Sequence, residues 1–87
     1  MRLLLVEDHA ELAECVGRAL RQAGCVLDVL GRGDHADQAL RTEHYDVVIL
    51  DLSLPGMDGL EVLRRLRHRE GGPAPSPPPP VLVLAAR

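Results

Sequence analysis

The chain has no lysine, no tryptophan and no phenylalanine, and its one aromatic residue is Tyr45. All ten basic side chains are therefore arginines, and the core has to be assembled from Leu, Val and Ala. The formal net charge of −3 gives no basic stripe of the kind that nucleic acid requires, so no direct nucleic-acid binding is expected. No apolar run approaches the ~20 residues needed to cross a bilayer. The apolar start, Leu3–Val6, is too short for a secretion signal and meets acids at once. A cytoplasmic protein without membrane contact is the expectation. Cys15 and Cys25 match neither a zinc spacing nor a redox pair. Cys15 falls on the apolar side of an expected helix, where a small core residue belongs. A chain of 87 residues makes one domain at most, of modest stability.

What the chain does have is apolar runs that end in acids. Leu3–Val6 is apolar at every position, as central parallel strands are, and Glu7-Asp8 stops it. From Ala10 to Ala23 the positions Leu12, Cys15, Val16, Ala19, Leu20 and Ala23 make one helical stripe. Asp8, with Glu11 three residues on, fits an N-cap and its reciprocal partner, and Gly24 fits a helix stop. Val26–Leu30 reads as a second strand at a sheet edge because Asp28 interrupts it. Residues 34–44 read as a helix with Ala36, Ala39 and Leu40 inward. Asp46–Leu50 is the third strand, delivering Asp51 to a Pro55-Gly56 turn. Asp58 and Glu61 repeat the cap spacing ahead of a third helix, with Leu60, Leu63 and Leu66 as its buried side and Val62 on the flank. Arg64, Arg65, Arg67, His68 and Arg69 fall on its outer face or last turn, read as a solvated surface. Residues 71–80, GGPAPSPPPP, form a proline-rich insertion that favours extended structure away from the acids. Val81–Ala86 is the fourth strand.

The order βαβαβαβ, with right-handed crossovers, predicts an α/β fold: a parallel sheet with helices on both faces. Glu7, Asp8 and Asp51 then end strands one and three on the same edge, where ligands bind in open α/β sheets. Taken singly, Asp8 is equally well a helix cap, Glu7 a solvated strand end and Asp51 a turn residue. Together they call for a retained proton or a bound cation. All-oxygen ligation by a few carboxylates is what Mg²⁺ accepts. Given a phosphoryl donor, Asp51 is placed to act as nucleophile and form an acyl phosphate, while Mg²⁺ neutralises charge on the transferring group. The four histidines show no ligand spacing.

Residues 3–8 (LLLVED), 46–63 (DVVILDLSLPGMDGLEVL) and 81–87 (VLVLAAR) resemble the receiver domain of bacterial two-component response regulators. The nearest likeness is to receivers that carry a winged-helix DNA-binding output domain. The resemblance covers nearly all of residues 1–87, broken by the proline segment. It implies a flavodoxin-like (CheY-like) fold with strand order 2-1-3-4-5. It also implies that Asp51 is the phosphoacceptor, charged by a sensor histidine kinase or a small phosphodonor. Glu7 and Asp8 would be the Mg²⁺-holding pair, with the backbone carbonyl of Ser53 as a further ligand, and Pro55 and Gly56 would shape the loop behind the site. Such receivers promote their own aspartate phosphorylation without being classed as enzymes, and normally control a transcription-factor output domain.

Three departures stand out. Ala85 occupies the switch position where the family usually has Thr or Ser, whose hydroxyl couples phosphorylation to a distal shift. The family's lysine at the end of strand five has no counterpart in a chain without Lys. The pattern stops after strand four, so the fold is expected to be incomplete at its C-terminal end, with residues 81–86 an apolar edge that favours self-association. The competing reading is a degenerate, non-phosphorylated receiver that serves as a binding or dimerisation module. An independent phosphatase or nucleotide-binding enzyme fits less well. Ser53 stands where a phosphatase of that type has a second Asp, and no glycine fingerprint follows strand one.

Overall fold

The structure is a computed structural model and describes residues 1–69 and 78–84. The elements run β1 (Arg2–Val6), α1 (Ala10–Gln22), β2 (Val26–Leu30), α2 (Gly33–Thr42), β3 (Val47–Asp51), α3 (Gly59–Arg67) and β4 (Val81–Leu84). All strand pairs are parallel, in the order β2-β1-β3-β4. This is the expected α/β arrangement over the described residues.

Because side chains alternate along a strand, the continuously apolar β1 feeds two cores. Leu4 and Val6 join Val48, Leu50, Ala36, Leu40, Tyr45, Val62 and Leu66 on the face covered by α2 and α3. Leu3 and Leu5 join Leu27, Ile49 and Ala13 on the face covered by α1. The end positions differ. β2 is an edge strand, with Val26 and Val29 exposed. Leu82 and Val83 of β4 are exposed as well.

Several local expectations need correction. Helix α1 is capped by His9, whose Nδ1 accepts the Leu12 N–H at 3.3 Å, and not by Asp8. The buried line of α1 is Ala13 and Gly17, with Val16 and Leu20 half-buried, while Leu12, Cys15, Ala19 and Ala23 face outward. Cys15 is thus an exposed thiol and not a core residue. The physical reason is size: at Gly17 a Cβ would already stand 3.2 Å from the Leu27 side chain, so the smaller stripe lets the helix sit close to the sheet. On α3, Leu60 is 62% exposed, and Val62 and Leu66 carry the packing. The cap at Asp58 holds as expected, with Oδ1 accepting the Glu61 N–H at 2.8 Å. The Glu61 carboxylate does not reciprocate but turns to Arg64 and Arg65. Those guanidinium partners, Arg64 first, hold its carboxyl down at about 2.

Of the proline-rich stretch, residues 70–77 lie outside the described residues, as do residues 85–87 with the switch position Ala85. Pro80 is described, and its carbonyl accepts the Val48 N–H at 3.0 Å at the start of β3. Pro80 therefore leads into β4 at the end of the sheet opposite the acids.

Candidate functional site: an acidic cluster at the strand ends

β1 and β3 are adjacent and in step: Leu5 pairs with Ile49 and Val6 with Leu50. Their next residues, Glu7 and Asp51, therefore emerge at the same level of the sheet. Glu7 extends the strand through its N–H, which donates to the Leu30 carbonyl at 3.0 Å. Its Oε1 accepts the His9 N–H at 3.0 Å. Asp51 is the last residue of β3, and its Oδ1 accepts the Ser53 N–H at 3.4 Å. Both carboxylates are buried, at 3% and 4% exposure, whereas Asp8 is exposed. Carboxylate oxygens of Glu7, Asp8 and Asp51 lie within 4.8 Å of one another. Since His9 caps α1, Asp8 turns to this cluster and not to the helix end.

The loop after β3 is fixed through its backbone. The Gly59 N–H donates to the Leu52 carbonyl at 2.9 Å, and a Cβ at Gly59 would collide with the Asp51 carbonyl oxygen. Only glycine lets α3 begin this close to the strand that carries Asp51. The Pro55 carbonyl accepts the Gly33 N–H at 3.0 Å, joining the loop to the start of α2. Gly56 has φ +81°, a conformation that side chains resist, and it lies against Arg32 and Asp34. That pair was not read from the sequence. Arg32 Nε donates to Asp34 Oδ1 at 3.0 Å, and the guanidinium holds the Asp34 carboxyl below its usual range. The cue available was the clustering of charge and glycine in residues 31–34, where the loop has to meet another backbone.

Among the described residues, Glu7, Asp8 and Asp51 are the one group of three or more side chains able to share a metal ion. Two buried carboxylates with a third at the rim are hard oxygen donors of the sort that Mg²⁺ prefers. The residues therefore fit such an ion. Asp51 pairs with Leu84 on β4, so the sheet carries β4 up to the level of the cluster.

The family profile described as "Response regulator receiver domain" matches residues 3–87. The chain belongs to this family. It is 47% identical over 87 residues to the transcriptional regulatory protein TctD of Salmonella typhimurium, covering 100% of this chain and 36% of that protein. The receiver thus spans about a third of the length of this curated relative. Its fold is similar to the receiver domain of the sensor histidine kinase PA1611 from Pseudomonas aeruginosa. The TM-score is 0.86, with 28% identity over 98% of this chain and 66% of that one; in that structure a magnesium ion is coordinated in the active-site cleft. A receiver of Thermotoga maritima, TrrA, solved with Mg²⁺ and a beryllium fluoride, aligns with a TM-score of 0.74. There the identity is 33% over 79% of this receiver and 60% of that chain. The chain is a receiver module of two-component signalling, and no helix in its described residues is long and apolar enough to cross a membrane.

Proposed function

We propose that this receiver accepts a phosphoryl group on Asp51, from a sensor histidine kinase or a small donor such as acetyl phosphate, in the cytoplasm. The observation that carries the reading is the convergence of Glu7, Asp8 and Asp51 within 4.8 Å. Glu7, Asp8, Asp51 and the Ser53 carbonyl would hold Mg²⁺, which when bound supplies positive charge against the phosphoryl oxygens. The chain's own residues do the rest. The Ser53 N–H fixes one oxygen of Asp51, so the carboxylate presents a set orientation. Its 4% exposure limits access by water, the competing nucleophile. A carboxylate oxygen forms the new bond to phosphorus as the bond to the donor's oxygen or nitrogen breaks, leaving an acyl phosphate and the released donor. Pro55 and Gly56 would shape the loop behind the site, against Gly33, Arg32 and Asp34.

Ala85 offers no hydroxyl to a phosphoryl group, so the response to phosphorylation is weaker than its chemistry. The relatives' DNA-binding output is the function that this switch would govern in a longer protein. β4 also supports a partner role: its exposed Leu82 and Val83 present an apolar edge on which a second copy can pair. Sedimentation velocity of a concentrated sample checks this, and a monomer throughout would remove it.

The central test is intact-mass measurement after incubation with acetyl phosphate and Mg²⁺. One added phosphate is expected, not gained when Mg²⁺ is chelated beforehand and absent from Asp51→Asn. Absence of any gain in the unmodified chain would leave the non-phosphorylated binding module as the better reading.

A further inference from the structure

Asp37, on α2, is a buried acid at 2% exposure that the phosphoacceptor chemistry does not use. Three guanidinium groups converge on it. Arg69 Nη2 donates to Oδ1 at 2.9 Å, while Arg41 and Arg65 stand 3.6 Å from Oδ2. With Arg64 and His68 these residues line an open cleft of about 340 Å³ between α2 and α3. Among the described residues, Glu61 is the other acid engaged here, paired with Arg64 and Arg65. Among the described residues, four arginines facing two carboxylates leave an excess of two positive charges, on a chain whose net charge is −3. The donors are also underused: Arg69 Nη1 is enclosed and has no hydrogen-bond partner among the described residues. A buried guanidinium nitrogen without an acceptor is costly.

We propose that this cleft binds a phosphate dianion, as inorganic phosphate or as the phosphate group of a nucleoside monophosphate. Guanidinium forks match tetrahedral oxyanions through paired N–H donors, and a dianion balances the charge excess. Asp37 orders the forks: it holds Arg69 in place and draws Arg41 and Arg65 to the same spot, so they are spaced for a ligand before it arrives. The cleft lies at the C-terminal half of α3, while Asp51 ends β3 with its backbone beside Gly59, the first residue of that helix, so the two sites are separate. Helix C-terminal carbonyls disfavour anions and the cleft is open, which sets the affinity in the millimolar range.

The test is an NMR titration of arginine Nε–H signals in the 87-residue chain, with EDTA present and ionic strength matched by chloride. Inorganic phosphate and adenosine monophosphate are titrated separately. Saturable shifts at Arg41, Arg65 and Arg69 are expected with both; tighter binding of the nucleotide would identify it as the source, and equal binding would identify phosphate itself. Arg41 is more than half exposed, so Arg41→Gln keeps the fold, as the amide spectrum verifies. It should weaken binding by about tenfold, whereas Asp51→Asn should leave binding unchanged. Shifts that stay linear, that match the chloride control, or that saturate as tightly in Arg41→Gln as in the unmodified chain would overturn the proposal. So would tighter binding of a DNA duplex than of either monophosphate, since that would mark a nucleic-acid surface.

Discussion

The two ends of the sheet are built on opposite plans. At the end where β1 and β3 finish, three acids gather within 4.8 Å, and the surrounding loop is held by backbone: Gly59 to Leu52, Gly33 to Pro55. At the end where the strands begin, side chains of opposite sign interlock. Arg2 Nη2 reaches Asp28 at 2.8 Å and Glu43 at 3.1 Å, and its guanidinium stacks 4.7 Å from the Tyr45 ring centroid. The Tyr45 hydroxyl donates to Asp28 at 2.7 Å. One end stores like charge on a stiff frame; the other uses charge to fasten strands. Substitutions at the first should alter chemistry and spare the fold, unless they touch the backbone contacts. Substitutions at the second should do the reverse.

The contrast is tested most severely by Gly59→Ala. The added methyl meets the Asp51 carbonyl, which cannot move aside, so a loss of about 3 kcal/mol or more is expected in urea unfolding. A loss under about 1 kcal/mol would show that the loop is softer than its contacts imply. Next comes Asp28→Asn, which weakens the acceptor for Tyr45 and Arg2. It should cost about 1.5 kcal/mol at neutral pH and leave phosphate incorporation intact. The Tyr45 and Arg2 hydrogen bonds hold the Asp28 carboxyl below its usual value. A depressed carboxylate contributes stability above its unfolded pKa of ~4, and that contribution is lost as pH falls through the folded value. Asp28→Asn should therefore flatten the acid limb of the stability profile.

Asp51→Asn should act in the opposite direction, because the amide keeps the Ser53 contact while removing one of three clustered charges. A gain of about 0.5–1 kcal/mol in Mg²⁺-free buffer is expected, measured by thermal melting; a loss would blur the distinction between the two ends. The smallest effect is spectroscopic. Burial, followed by the Asp28 hydrogen bond, pushes the Tyr45 phenol up to about 12. Because the folded value is raised, stability falls between the ordinary phenol pKa of ~10 and that value. The ultraviolet titration should show no phenolate near pH 10 while the protein stays folded, and its single tyrosine makes the reading direct.

The acidic end was legible in the residues because its parts are local. An apolar run that stops in acids declares both a buried strand and a charged rim, and Asp58 followed by Glu61 declares a helix start. The α1 stripe was not, because two overlapping sets of positions satisfy helical spacing. Choosing Ala13 and Gly17 over Leu12 and Cys15 depends on how closely the helix approaches Leu27. His9 displaced Asp8 as cap for a related reason: both suit the position, and the cluster with Glu7 and Asp51 exists only once the sheet has formed. The arginines after Leu63 read as a solvated face because their partner Asp37 lies 32 residues from Arg69. No local pattern announces that pairing.

β1 carries a last implication. An apolar segment that is covered on both sides has no wet face to forbid a slip past its neighbours. Slipping back toward its own N-terminus by a residue or two would drag Glu7 and then Asp8 between β2 and β3, into hydrocarbon. The acids that serve the rim thus also act as a mechanical stop, measuring where the strand must end. Neutralising both would remove the ruler.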